Sequence, residues 1–414
     1  MNPGAIKKGK SIVVYLGARR IVAILGSTAE SVPSVLRFQE RKFPDGFTDG
    51  LVTNLQNATT SVERVLSDLA PLSELEKTPV YVVLGNASLR HHRFESSQYY
   101  SSARTITAED VRAVIQQTRS VATLPLQETV LTAVPESFVV NDMAGVKNPI
   151  DLEAQRLGAQ VQLFSMDYQG LRNIVKIFEG LDLEVKGFFP KTLTVSEAVL
   201  KPEHKKNGAV VLDFSDRCTQ VILWKDQRIC ATRFIPVGGA WLTEKLSEKY
   251  RLDPVEAENL KEKYGTVHGE IKKDEIIPLW SKSEQSRETI RRGDFQDFWL
   301  PLVKEWMTII GNEVNQMLTE EKVFHPDYFF TGGPVQMDGF LEWMQKECSV
   351  DGKIGVSHQL DTTPEILRSS VLVPALGMLH WIEYFKRELE PLYVPRGVLE
   401  KSVLTAKTWF SNYF

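Results

Sequence analysis

Residues 327–340 read DYFFTGGPVQMDGF. Tyr328, Phe329 and Phe330 are aromatic and suit a buried strand. Thr331-Gly332-Gly333 breaks that strand sharply, and the pattern after it predicts a helix from Met337 to Met344. A strand that runs into a glycine pair at a helix start offers bare backbone to a ligand and aims helix N–H groups at it. An ordinary tight turn uses the same residues. The stretch therefore has to be read with what accompanies it.

Two other segments share a pattern. Ser11–Leu25, SIVVYLGARRIVAIL, reads strand, turn, strand. Ala209–Val237 reads strand, turn, strand, turn, strand and begins about 200 residues later. A hairpin opening each half of a chain predicts a duplicated α/β fold. Apolar residues at helical spacing follow in both halves, over Leu51–Leu69 and Trp241–Tyr250.

Between the hairpins lies a different piece. Tyr81–Leu84 reads as a strand, whereas His91–Arg104 is polar and shows no clear period. Thr107 is a good helix N-cap, and Glu109 and Asp110 suit the positive end of the helix it starts. Gln127–Val140 alternates like strands, Gly145-Val-Lys-Asn-Pro149 reads as a turn, and Ala159–Phe164 as another strand. The reading is a small inserted α+β domain over residues 87–163.

The chain has 414 residues, 43% hydrophobic and 25% charged, an ordinary globular composition. Its formal net charge of −4 carries no nucleic-acid footprint. Three scattered cysteines, Cys218, Cys230 and Cys348, form neither a disulfide framework nor a zinc pattern, and no histidine pair has metal-ligand spacing, so no metal site is expected. No signal peptide is expected, because Arg19-Arg20 interrupts the first apolar run. No transmembrane helix is expected either: the longest apolar stretch, Val371–Ile382, is short and contains Pro374.

The end of the chain has its own character. Glu388–Gly397 carries two prolines and a glycine and suits a linker. In Lys401–Phe414, Val403, Leu404, Phe410, Tyr413 and Phe414 fall mostly on one helical face, with Trp409 at its boundary. An aromatic-rich end needs a partner: a membrane surface, another protein or the chain's own core.

These residues together resemble FtsA, the actin-like family that tethers the bacterial cell-division ring to the membrane. Gly145-Val-Lys-Asn-Pro-Ile150, then Leu152 and Arg156-Leu157, is similar to the signature turn of that family's inserted subdomain. Asn173-Ile-Val-Lys176 resembles the helix that follows it. Ala257–Lys261 ahead of Tyr264-Gly265 resembles the adenosine-contacting helix, and Thr331-Gly-Gly333 the adenosine motif. The terminal amphipathic helix resembles the family's membrane anchor. PilM of type IV pili shares the fold and offers the alternative of a membrane-machine assembly module. An actin-fold ATPase is a further alternative.

The resemblance implies an actin-like, two-lobed, duplicated α/β fold with nucleotide between the lobes. Subdomain 1A would take residues 1–86 and 164–205, and the inserted 1C residues 87–163. Subdomain 2A would take 206–250 and 326–385, and 2B 251–325, before a linker at 386–400 and the membrane helix at 401–414. It implies filaments formed by self-association on the cytoplasmic face of the cell membrane at the division site. It also implies a contact between the C-terminal tail of FtsZ and subdomain 2B. Arg292 and Pro301 match the pattern of that acceptor, with Arg291 beside them, although a second family arginine stands here as Leu302. An ordinary solvated arginine pair is the alternative.

The nucleotide chemistry departs from the family. An acidic residue is expected in the first hairpin to hold Mg²⁺ through water, and the position is Tyr15. Gly17 remains, followed by Ala18-Arg19-Arg20. In the second hairpin Asp213 remains, but the expected glycine-threonine run is Ser215-Asp-Arg-Cys218 and the acidic residue after it is Gln220. Three readings stay open: a decayed site, phosphate bound by Arg19, Arg20 or Arg217 in place of amides and Mg²⁺, or misaligned hairpins. The resemblance places vestigial nucleotide contacts at Gly17, Asp213, Gly238, Gly239, Glu258, Lys261, Gly332 and Gly333. ATP or ADP binding is expected to be weak, with turnover weaker still.

Overall fold

A computed structural model describes residues 9–28, 32–71, 75–76, 78–86, 88–267, 271–281, 286–358 and 360–384. The expected linker and terminal helix, residues 386–414, lie outside these residues. The chain divides into two compact units, Met1–Glu197 with Gln359–Thr363 and Pro374–Phe414, and Ala198–His358 with Pro364–Val373.

The first unit is built on the hairpin β1 (Lys10–Leu16) and β2 (Arg20–Ser27), with β3 (Ser34–Lys42) antiparallel on its outer side. Helix α1 (Leu55–Leu69) buries Val62, Val65, Leu66 and Leu69. The helix starts at Leu55 rather than Leu51, because Asn54 caps it by accepting from the Asn57 N–H at 3.0 Å, and Leu51–Val52 pairs with Phe47–Thr48 instead. Strand β4 (Val80–Leu84) then runs parallel to β1. Ser11–Leu16 and all of β4 are buried, which is why both read as apolar runs without alternation.

The inserted α+β body follows: β5 (Arg90–Thr105), α2 (Ala108–Val121), β6 (Glu128–Val140), β7 (Met143–Val146) and β8 (Glu153–Asp167). Its sheet order is β5-β8-β6-β7. Val111, Val114 and Ile115 of α2 join a core with Phe138, Val161 and Leu163 of the sheet. The Thr107 cap forms as expected, in a reciprocal capping box with Asp110.

Two local expectations needed correction here. The segment without a period is the long strand β5. It is an edge strand in which Phe94 and Tyr100 pack on the insert core but polar Ser96 stands between them, its Oγ 2.7 Å from Thr118 Oγ1, so the regular apolar alternation of a half-buried strand is broken. The turn assigned to Gly145–Pro149 begins two residues later: Lys147 to Leu152 carry the chain from β7 to β8, closed by the Leu152 N–H donating to the Pro149 carbonyl at 3.2 Å. Gly145, at φ +78°, belongs to β7. Helix α3 (Tyr168–Gly180) leads to β9 (Val185–Pro190), parallel to β4, and α4 (Lys191–Val199) follows.

The second unit repeats the plan. Strands β10 (Ala209–Phe214), β11 (Thr219–Lys225) and β12 (Arg228–Ile235) form the antiparallel part. Helices α5 (Gly239–Tyr250) and α6 (Pro254–Tyr264), the ladder β13 (Ile276–Ser281) with β14 (Ser286–Arg291), and the long helix α7 (Arg292–Glu320) follow. Strand β15 (Asp327–Gly332), helix α8 (Phe340–Cys348) and β16 (Gly352–Ile354) close the unit. The order β12-β11-β10-β15-β16 matches β3-β2-β1-β4-β9 strand for strand, each with a hairpin on one side and two parallel strands on the other. Phe295, Trp299 and Trp306 of α7 pack with Phe214 and Phe330 of this sheet.

The helix expected from Met337 starts at Phe340. A single 3₁₀ turn, Pro334–Gln336, comes first, and Gly339 at φ +79° redirects the chain. The Asp338 carbonyl is pinned there by the Val267 N–H at 3.0 Å and the Thr266 hydroxyl at 3.1 Å. The last described helix, α9 (Val373–Tyr384), packs Leu379 against Gly26 and Trp381 against Phe189 of the first unit. Among the described residues no helix is long and apolar enough to cross a membrane.

Candidate functional site

In the first unit, β1 and β4 are parallel neighbours that end in Gly17 and Gly85. Ligands of open α/β sheets sit outside such carboxyl ends, and glycines there let a phosphate approach the backbone. The Gly17 N–H donates to the Arg20 carbonyl at 2.9 Å and closes the hairpin, and the Gly85 N–H donates to the Leu16 carbonyl at 3.0 Å. The Tyr15 ring covers both glycines. A Cβ added to Gly17 would lie 2.8 Å from the Tyr15 hydroxyl, and one added to Gly85 would lie 2.7 Å from its ring. Tyr15 is 6% exposed. Arg19 stacks on Phe43 at 4.4 Å, and Arg20 pairs with Glu40 at 2.5 Å.

In the second unit, the turn Ser215–Cys218 is closed by the Ser215 N–H donating to the Cys218 carbonyl at 2.9 Å. Its carbonyls face the start of α5: Gly239 N–H donates to Ser215 at 3.0 Å and Ala240 N–H to Asp216 at 2.7 Å. The first donors of that helix, which suit an anion, are thereby satisfied by the protein. Gly238 is forced by the same closeness, since a Cβ there would meet the Asp216 carbonyl at 2.4 Å. Arg217 pairs with Glu244 at 2.6 Å. Asp213 is buried on β10, opposite Gln220 and beside Thr331.

Glu258 and Lys261 face each other on α6 at 2.8 Å. The Lys261 ammonium also donates to the Gly239 carbonyl at 2.9 Å and the Thr243 hydroxyl at 2.8 Å, so its three protons all have acceptors within the unit. The Thr243 hydroxyl donates to Glu258 at 2.5 Å. Gly332 adopts φ +98°, and a Cβ there would lie 2.0 Å from the Phe214 carbonyl, so the fold itself requires this glycine. Gly333 differs: an added Cβ meets nothing within 4 Å. The structure thus gathers Gly238, Gly239, Glu258 and Lys261 around the start of α5, with Pro334, next to Gly333, 3.9 Å from a Cβ on Gly239. Thr243 and Gly85 were missed from sequence; a lone threonine in a helix and a lone glycine after a strand carry no spacing signal.

A magnesium-bound polyphosphate does not fit these residues. The ring of Tyr15 fills the glycine cradle of the first unit, and backbone carbonyls occupy the helix donors of the second. Among the described residues no cluster of three His, Cys, Asp or Glu is arranged to hold a metal.

The two arginines at the start of α7 have different surroundings. Arg291 is exposed. Arg292 is 6% exposed, with its guanidinium 5.2 Å from the Tyr264 ring centre and 5.5 Å from that of Phe295. Burial lowers its pKa, against the pull of Glu275 and Tyr264. Arg292 is therefore not half of a solvated pair, because its side chain has turned into the aromatic core. Pro301 is exposed within α7 and Leu302 is buried. The membrane candidates Val403, Leu404, Trp409, Phe410, Tyr413 and Phe414 lie outside the described residues.

The duplicated sheets with an insert in the first half define an actin-like protein. Its fold matches a PilM–PilN type IV pilus biogenesis complex with a TM-score of 0.63, at 15% identity over 89% of this chain and 97% of that one. It also matches MreB5 of Spiroplasma citri bound to ADP, with a TM-score of 0.55 and 9% identity over 92% of this chain and 99% of that one. Residues 90–165 match the family described as "SHS2 domain inserted in FTSA", and residues 210–377 that of "Cell division protein FtsA". The cell division protein FtsA of Escherichia coli K12 is 23% identical over 343 residues, 81% of each chain. The chain is an FtsA-like cell-division protein.

Proposed function

We propose that this protein tethers FtsZ filaments to the cytoplasmic face of the cell membrane at the division site, self-associating there, with little or no ATP turnover. The observation that carries this reading is the match to FtsA in both the insert and the second unit. The residues around the candidate nucleotide site support the low turnover. Metal-assisted hydrolysis needs charge neutralisation in the transition state, and no carboxylate stands at Tyr15 to help supply it.

In this reading the FtsZ tail docks on the segment 251–325, where Arg291 is exposed. The anchor is the stretch 401–414, whose apolar face contributes about 1.5–3 kcal/mol per large side chain before ordering costs. Only Lys401 and Lys407 are basic there, so apolar insertion and avidity in a polymer dominate over attraction to anionic lipid.

The test combines liposome co-sedimentation with FtsZ-tail binding. Full-length protein should pellet with liposomes, and a 1–400 truncation and Trp409→Glu/Phe410→Glu should not. Equal pelleting of all three excludes the tail as the anchor. A pull-down that retains pilus peptides rather than FtsZ tails would instead favour a PilM-like assembly module.

A further inference from the structure

We infer that Tyr15 is a built-in plug that closes the phosphate cradle of the first unit, so that assembly of this protein does not respond to nucleotide. The cradle is defined by general geometry: two parallel strands, β1 and β4, ending side by side in glycines. The plug is defined by contact. Cβ atoms on Gly17 and Gly85 would lie 2.8 Å and 2.7 Å from the same tyrosine side chain, so the ring rests on both backbones. A planar ring can lie this close only where glycine leaves out the Cβ.

The cradle behind the ring keeps features suited to an anion. Asn86 lies beside it, since a Cβ on Gly50 would meet Asn86 Cβ at 3.2 Å and the Gly17 carbonyl carbon at 3.6 Å. Asn86 is 2% exposed, its Oδ1 accepts from Ser88, and its Nδ2 is a buried donor with no acceptor among the described residues. Removing the ring would therefore expose glycine backbone and one amide donor at the carboxyl ends of two parallel strands. In the second unit, the carbonyls of Ser215 and Asp216 independently satisfy the first N–H groups of α5. In the first unit the Tyr15 ring covers the glycine backbone, and in the second the helix N–H groups are already bonded within the unit.

The experiment uses full-length protein, with equilibrium dialysis against ATP and ADP in Mg²⁺ and pelleting of assemblies with and without nucleotide. Wild type and Tyr15→Phe should show no saturable binding up to millimolar nucleotide, and their pelleting should be unchanged by nucleotide or chelator. Tyr15→Ala should bind at least about tenfold more tightly than wild type. Micromolar binding by wild type, nucleotide-dependent pelleting of wild type, or a Tyr15→Ala as blind as wild type overturns the plug. Thermal melts give a second readout. Gly17→Ala and Gly85→Ala should each lower Tm by several degrees in wild type and by clearly less in the Tyr15→Ala background. Equal losses in both backgrounds overturn it. The pelleting arm rests on the self-association proposed above; dialysis and melts rest on the actin-like fold alone, so a failed FtsZ-tail assay leaves the plug standing.

Discussion

The Lys261 ammonium lies 2.8 Å from the Glu258 carboxylate, one turn away on α6, and both side chains are largely buried. This pair clamps the start of α5 through Gly239 and Thr243. Removing one member leaves a charge without its partner in a dry setting, which costs far more than an exposed pair contributes. Lys261→Met and Glu258→Gln should each destabilise the protein by about 3 kcal/mol. The double variant should lose clearly less than the sum, as read by urea denaturation in a double-mutant cycle. Additive losses would refute the clamp.

Gly332 and Gly333 are neighbours with opposite tolerance. Gly332→Ala combines a strained φ of +98° with a Cβ 2.0 Å from a carbonyl, and should cost at least about 3 kcal/mol. Gly333 has φ −65° and open space around it. Gly333→Ala should be neutral or stabilising by up to about 1 kcal/mol, because it restricts the unfolded chain. Melting curves of the two variants decide this directly.

Arg292 should prove dispensable as a charge. Its Nη1 is a buried donor without an acceptor among the described residues, while its guanidinium packs on aromatic rings. Arg292→Met keeps the packing and removes the charge, and should change stability by less than about 1.5 kcal/mol. Arg291→Glu should leave the fold intact and weaken FtsZ-tail binding. Unchanged tail affinity in Arg291→Glu, with a normal melt, would remove this arginine from the acceptor.

His91, stacked on Phe164 with ring centres 5.0 Å apart, should make the insert acid-sensitive. Burial, then the neighbouring charges of His92 and Arg93, lower its pKa from 6.5 to about 4, against a hydrogen bond the ring donates to Gln162. Between those values the unfolded chain holds more protons than the folded one. Stability contributed by neutral His91 is therefore complete above about pH 6.5 and is lost as pH falls towards 4. The loss should approach about 3 kcal/mol. His91→Phe should flatten this part of the pH profile, and an unchanged slope in urea titrations from pH 7 to 4 would count against it.

Much of the architecture was legible because it is local. The hairpin turns at Gly17 and Ser215–Cys218, the buried runs of β1 and β10, and the Thr107 cap all follow from neighbours within a few residues. The repeat was visible for the same reason, since two similar local patterns produce two similar sheets. The strand β5 was hidden because polar Ser96 separates its core-packed Phe94 and Tyr100 and its sheet partner is distant in sequence, so no regular alternation marks it.

The sequence by itself determined the order of elements, the place of the insert and the loss of an acidic residue at Tyr15. Only the tertiary structure decided what the replacements do. It set the Tyr15 ring on Gly17 and Gly85, turned Arg292 inward while leaving Arg291 outside, and gave Lys261 three acceptors from two helices. Helix caps, hairpin turns and side-chain period are short-range and can be read along a chain. Burial, ring contacts and the pairing of charges depend on segments that meet only when the sheets form.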